Sequence, residues 1–141
     1  VRRYNVGLAR TVHLGTPPDD LQRTAAAVEE GMAAVMDSLQ AGAIAGDVHA
    51  AWQRVLDRYG LEKPSRIGYS IGTGYAPDWG ERTLSFRPRE TTSVPEDAVV
   101  HVILGMWMDD WGMELSETLH VRAGDCVRLC DFPQHVHVVP A

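Results

Sequence analysis

Two amphipathic runs set back to back, with β-patterned segments on either side, constrain this chain more than any other feature. From Leu21 to about Gln40 an Ala-rich stretch places Leu21, Val28, Met32, Val35 and Leu39 close to a 3.6-residue stripe, which predicts a helix closed by Gly42. The preceding TPPDDLQ puts prolines and carboxylates where a helix starts, with negative charge near its positive end. A second helix is predicted over GDVHAAWQRVLDRYG: Asp47 caps it, Val48, Ala51, Trp52, Val55 and Leu56 form its apolar face, and Gly60 ends it. Ahead of both, YNVGLARTVHL (4–14) reads as a strand that stops at Gly15. Behind them, RIGYSIGTGY reads as a strand edge running into a tight loop, and APDWGERTLSFRPRETTSVPED as a long Pro-, Gly- and charge-rich loop. VVHVILGMWM reads as a buried strand, DDWG as a hairpin turn and MELSETLHV as a half-exposed strand, followed by short strands in CVRLCDF and HVHVV. A strand, two helices and then four or five strands make residues 1–141 one α+β domain.

Charge narrows the function classes. Thirteen Lys and Arg against 19 Asp and Glu leave a net charge of −6, so no cation excess exists to displace counterions from a nucleic acid. No apolar run reaches the roughly 18 residues of a membrane span, and the opening VRRYNVGLAR lacks a signal peptide's apolar block. A cytoplasmic location without nucleic-acid or membrane partners is expected. Cys126 and Cys130, four residues apart, share a face if both lie in one strand; two thiols do not complete a zinc site, and reduced structural cysteines are expected.

Three groups of residues invite a chemical reading. Among six histidines, His135 and His137 alternate on one strand face without a nearby third ligand, His13 and His120 fall in strands, and His49 falls on the solvated side of a helix. His101 stands in an otherwise apolar strand, where an imidazole needs a partner or a ligand. The densest stretch is Tyr69 to Glu81, in which Gly72 and Gly74 let backbone approach a ligand and Tyr69, Tyr75, Asp78, Trp79 and Glu81 supply a phenol, an indole and carboxylates. A third group is Trp107, Asp109, Asp110, Trp111, Glu114 and Glu117, of which the paired aspartates read as a solvated turn.

The runs RTVHLGTP, GYSIGTGYAPDWGERTLSFRP and VVHVILGMWMDDWGMELSETLHV resemble the second, C-terminal half of the pita-bread fold of creatinase, aminopeptidase P and methionine aminopeptidase. Within that group they are most similar to the ectoine-hydrolase branch. The resemblance implies two helices packed on a curved, mainly antiparallel sheet, completed by a partner chain that carries the first half, as a heterodimer or a dimer of heterodimers. A chain opening on Val1 fits an alternative start codon in a split gene, or a fragment of something longer.

Metallopeptidases of this fold hold two metals with two Asp, one His and two Glu, and the resemblance leaves at most one of those five ligands in this sequence. Gly7 or Leu8 stands at the second Asp, Tyr69 at the His, Ile103 near the first Glu, and Ser116 (or Glu117, one residue on) at the second. The first Asp would precede Val1. No metal and no cofactor are therefore expected. The ectoine-hydrolase branch implies a catalytic carboxylate on a strand pair upstream of Val1, and a histidine where Asn5 stands.

The resemblance implies an enzyme subunit acting on a small amino-acid-like substrate, free or carrier-borne. Intramolecular C–N ring closure in natural-product biosynthesis, giving an aziridine or azabicycle, stands first. An ectoine-hydrolase-like cyclic amide hydrolase, a non-catalytic stabilising subunit and a binding module stand as alternatives. Tyr69 or His101 would orient or deprotonate the substrate amine, and Asp78 and Glu81 would grip its ammonium. Trp79 and Trp107 would wall the site, Arg82 and Arg87 would pair an anionic group, and Glu117 completes the substrate-binding set.

Overall fold

The computed structural model describes residues 2–75 and 78–141. In chain order the elements are β1 (Val12–Leu14), α1 (Asp19–Ser38), α2 (Ala45–Tyr59), β2 (Gly68–Tyr75), β3 (Asp78–Phe86), β4 (Val99–Trp107), β5 (Gly112–Val121), β6 (Cys126–Arg128) and β7 (His137–Val139). Five strands form one antiparallel sheet in the order β3-β2-β4-β5-β6, while β1 and β7 pair in parallel as a separate ribbon.

Period-2 alternation along β4 divides the sheet into two faces. Val100, Val102, Leu104 and Met106 are buried on the first, with Met113, Leu115 and Leu119 of β5 and Leu84 and Phe86 of β3 in the same core. The helices cover this core with the predicted stripes: Leu21, Val28, Met32, Val35 and Leu39 from one, Val48, Trp52, Val55 and Leu56 from the other, all buried. The helices cross where Gly31 meets the Trp52 indole, an approach that no side chain at 31 would permit. The second face of β4 carries His101, Ile103, Gly105 and Trp107, and Tyr69, Ser116 and Thr118 join it by register.

Helix boundaries follow the local chemistry with one correction. Asp19 and Asp20 occupy the first turn of α1, and Gly60 ends α2 at φ 65°, its N–H donating to the Leu56 and Asp57 carbonyls. Asp47 does not cap α2; it falls inside the first turn, one turn beyond Ile44, and makes no capping bond. The helix starts early because residues 44–46 are held by strand-like bonds to residues 90–93, with Ala45 N–H donating to Thr92 O and Gly46 N–H to Glu90 O.

Two stretches depart from the expected pattern. The segment read as a long loop contains β3, because TLSF can alternate against β2 once Gly80 takes up a register shift opposite Ile71. Conversely, 4–14 is not one strand: only Val12–Leu14 is regular, and Tyr4 and Ala9 touch the sheet through isolated bridges to Thr73 and Ser116. Residues 4–11 instead cross the second face as a strap. Cys126 lies in β6 and Cys130 beyond it, both as free thiols, so they do not share a strand. Burial pushes the Cys126 thiol up to about 11, which keeps it unreactive. Among the described residues no helix is long and apolar enough to cross a membrane.

Candidate functional site

Antiparallel pairing of β2 with β4 sets Tyr69 directly across from His101, and the β3 strand brings Trp79 over the same spot. The three rings meet edge to face. Tyr69 and His101 have centroids 5.9 Å apart at 85°, Trp79 and His101 5.1 Å at 65°, and Tyr69 and Trp79 6.4 Å at 78°. The Arg66 guanidinium sits 4.4 Å over the Tyr69 ring, a cation–π contact on the rim. Trp79 is 37% exposed and forms the open side of the cluster.

His101 is the enclosed member, 4% exposed, and neither ring nitrogen has a hydrogen-bond partner among the described residues. Burial without a compensating charge pulls its pKa from the usual histidine range to about 4, so the ring is neutral at pH 7. The strap closes it from above, with Gly7 packed on the imidazole. Thr118, the register partner of His101 on β5, holds Gly7 twice: its Oγ1 accepts from Gly7 N–H and donates to Gly7 O, both at 2.8 Å. Asn5 ties the other end, its N–H and Nδ2 donating to Gly72 O at 3.0 and 3.1 Å and its Nδ2 to Trp79 O at 3.4 Å. Sequence reasoning missed Thr118 and the strap. A threonine in a strand carries no signal of its own, and Gly7 and Asn5 stood out only as departures from a family pattern.

The remaining sequence-derived candidates lie elsewhere. Glu81 is exposed on β3 with its carboxylate over Gly72, and it lines a cleft of about 690 Å³ together with Asn5, Ser70 and Thr83. None of the three rings lines this cleft, and Asn5 links the two by donating to the Trp79 carbonyl. Arg82 is exposed on β3, and Arg87 pairs with Glu90 at 2.9 Å. The Asp78 side chain lies outside the described residues. Trp107 is six residues along β4 from His101, some ~20 Å at strand rise. It packs over Gly105 and Gly112 and is 69% exposed, so it does not join the Tyr69–Trp79–His101 cluster.

Glu117 is engaged internally. Its register partner is Val102, on the core face, and its fully buried Oε1 accepts from Arg10 and from Gln134 at 2.9 Å and forms an ion pair with Arg128 at 3.2 Å. The group ties strap, sheet and C-terminal segment together. His49 is a further correction: it is buried, not solvated, with an unpartnered Nε2. Its pKa is lowered by burial and by the Lys63 charge, because the 60–65 connection folds back against α2.

Among the described residues the donor set for a metal pair does not assemble. Ile103 and Ser116, where the family resemblance puts two glutamate ligands, are register partners on the second face and offer one hydroxyl between them. Among the described residues no three His, Cys, Asp or Glu side chains are grouped to hold a metal ion.

The model of metallopeptidase family M24 matches residues 1–123. This chain belongs to that family. Among M24-related proteins it is 36% identical over 138 residues to the ectoine hydrolase of Halomonas elongata, covering 97% of this chain and 35% of that protein. It is 34% identical over 137 residues to an uncharacterized hydrolase/peptidase of Sinorhizobium fredii, covering 96% of this chain and 34% of the relative. The chain thus spans about a third of the length of the curated relatives it matches. Among solved structures, a dipeptidase from Pyrococcus horikoshii superposes with a TM-score of 0.88 at 18% identity, over 98% of this chain and 38% of that one. The dipeptidase PepE of Mycobacterium ulcerans gives 0.86 at 21%, over 95% and 36%. These likenesses establish the fold: two helices on an antiparallel sheet, half of the M24 pita-bread architecture.

Proposed function

We propose that this chain is the C-terminal half of a heteromeric, metal-independent pita-bread enzyme, lending the Tyr69–Trp79–His101 wall to a pocket that a complementary half closes. The substrate is a small amino-acid-derived ring or its open form. The ring cluster carries this reading: three polarisable rings, one of them a neutral imidazole, form a surface suited to a compact cationic or zwitterionic ligand.

The chemistry follows from the protonation state. An imidazole with a pKa of about 4 holds a proton too weakly to strip an ammonium, so His101 is not the base, and as an enclosed neutral ring it backs the wall that Trp79 presents to the substrate. Trp79 and Tyr69 exclude water from the reacting bond, and the Glu81 cleft takes the substrate ammonium. The nucleophile or general base comes from the complementary half. We place hydrolysis of a cyclic amide ahead of C–N ring closure, because a relative covering 97% of this chain is named an ectoine hydrolase. In hydrolysis a water oxygen bonds to the ring carbon, the C–N bond breaks and the nitrogen takes up the proton. In ring closure an amine nitrogen bonds to carbon as the carbon–leaving-group bond breaks, the anion departs and the nitrogen gives up a proton to the base of the complementary half, with no water consumed.

The test is turnover in ¹⁸O-water by this chain co-expressed with the product of the adjacent gene, followed by mass spectrometry of the product. Incorporation of one labelled oxygen supports hydrolysis, and an unlabelled cyclic product supports ring closure. A complex whose activity survives both Tyr69→Ala and His101→Ala removes the wall from the mechanism and leaves a stabilising subunit. A well-behaved monomer that ignores the neighbouring gene product removes the heteromeric reading.

A further inference from the structure

We propose that Thr118 is a positioning residue, whose hydroxyl clamps the Asn5–Gly7 strap over His101 and so keeps that imidazole dry, neutral and fixed in orientation. The inference rests on reading His101 as part of the substrate wall, and it names what holds that ring in its working state.

Geometry carries it. Thr118 and His101 are register partners, so their side chains leave the same face side by side. The Thr118 hydroxyl spends both its donor and its acceptor capacity on one residue, Gly7, which is 111 positions away in the chain. No side chain lacking a hydroxyl reproduces that pair. Gly7 in turn lies on the imidazole so closely that a β-carbon there would stand 2.5 Å from Cε1 and Nε2. The strap therefore rests on the ring itself, and the clamp sets how near it rests. Tyr69, with Arg66 over its far side, and Trp79 complete the enclosure. None of these gives His101 a hydrogen bond or a carboxylate, so exclusion of water is what keeps it unprotonated.

Such a role predicts a consequence that simple packing does not. Loosening the clamp admits water to the ring, and His101 then titrates as an ordinary histidine. The direct measurement is the imidazole ¹H–¹⁵N spectrum of the full chain at pH 5.5, with the His101 signal assigned by its loss in His101→Gln. The wild-type ring is expected to be neutral there, and in Thr118→Val its titration midpoint rises by about two pH units, so the signal shifts to that of an imidazolium. Thr118→Ser keeps the hydroxyl and restores the neutral ring, a rescue that a purely volumetric role of Thr118 would not give.

Should Thr118→Val fail to fold, Asn5→Ala loosens the strap from its other anchor; faster hydrogen exchange at the Gly7 amide together with a charged His101 supports the clamp. The proposal is overturned by a folded Thr118→Val, or by Asn5→Ala, in which His101 remains neutral at pH 5.5. A wild-type ring already charged at that pH overturns it as well. The spectrum reads the imidazole without substrate, so a working clamp in a chain that shows no turnover in any assembly would separate failure of the enzyme reading from failure of this one.

Discussion

Gly7 and His101 are in face contact across 94 positions of sequence, with no room for a β-carbon between them. The backbone of Gly7 is not in the left-handed region, so alanine is free to adopt its dihedral angles and the whole obstacle is steric. Gly7→Ala must push the imidazole or lift the strap, at a cost of about 1–3 kcal/mol for overpacking. Urea denaturation of the variant against wild type checks this. Equal midpoints would mean that the strap rides clear of the ring.

Acid should destabilise the chain before its carboxylates titrate. Burial holds His101 at about 4, so its ring is neutral in the folded state near pH 6, where an unfolded histidine begins to charge, and burial lowers His49 in the same direction. The unfolded chain then binds protons that the folded chain refuses. Stability is therefore full above about pH 6.5 and falls as pH drops towards 4, by up to about 3 kcal/mol from His101. Denaturation midpoints at pH 7, 5.5 and 4.5 read the slope, and His101→Gln should flatten it. An identical slope in that variant would assign the effect to other groups.

The Arg10–Glu117 pair is a second long-range tie. Arg10 also donates to the Ser116 carbonyl and contacts the Phe132 carbonyl at 3.0 Å, so its loss strands a wholly buried carboxylate and frees the strap together. Arg10→Met is expected to cost about 3 kcal/mol, the lower end for breaking a buried pair, since Arg128 and Gln134 still reach Glu117. Adding Glu117→Leu removes the buried carboxylate but leaves Arg128 and Gln134 without their acceptor, so it should recover only part of that loss. Non-additivity in the double-mutant cycle is the measurement, and additive losses would refute coupling between the two residues.

Packing of α1 on α2 hinges on Gly31. A β-carbon there would stand 2.0 Å from the Trp52 ring, deep in the core. Alanine normally strengthens a helix interior by about 1 kcal/mol relative to glycine. Here that gain is outweighed, and Gly31→Ala is expected to lower stability by about 2 kcal/mol net. A variant that melts higher than wild type would show that Trp52 has another rotamer available.

The helical half of the fold was legible because its signal is local. The stripes from Leu21 to Leu39 and from Val48 to Leu56 are periodic within a few turns, and each residue named in them is buried. Gly60 and the acidic start of α1 are equally local. Tyr69, Trp79 and His101 also drew notice individually, as an imidazole in an apolar strand and aromatics beside glycines. Strand β3 was hidden because prolines, glycines and charges flank its short alternating core, and its identity depends on β2 being there to pair with it. His49 reads as solvated on a helical wheel and becomes buried only when the 60–65 connection returns against α2.

The sequence by itself determined two helices, their buried faces and the β-rich remainder, since those follow from side-chain periodicity within one element. Only the tertiary structure decided that Tyr69, Trp79 and His101 share one spot, that Trp107 stands apart, that Glu117 is consumed by two arginines, and that Gly7 is clamped onto His101 by Thr118. Register and crossing set those relations, and register is a property of pairs of segments far apart in the chain.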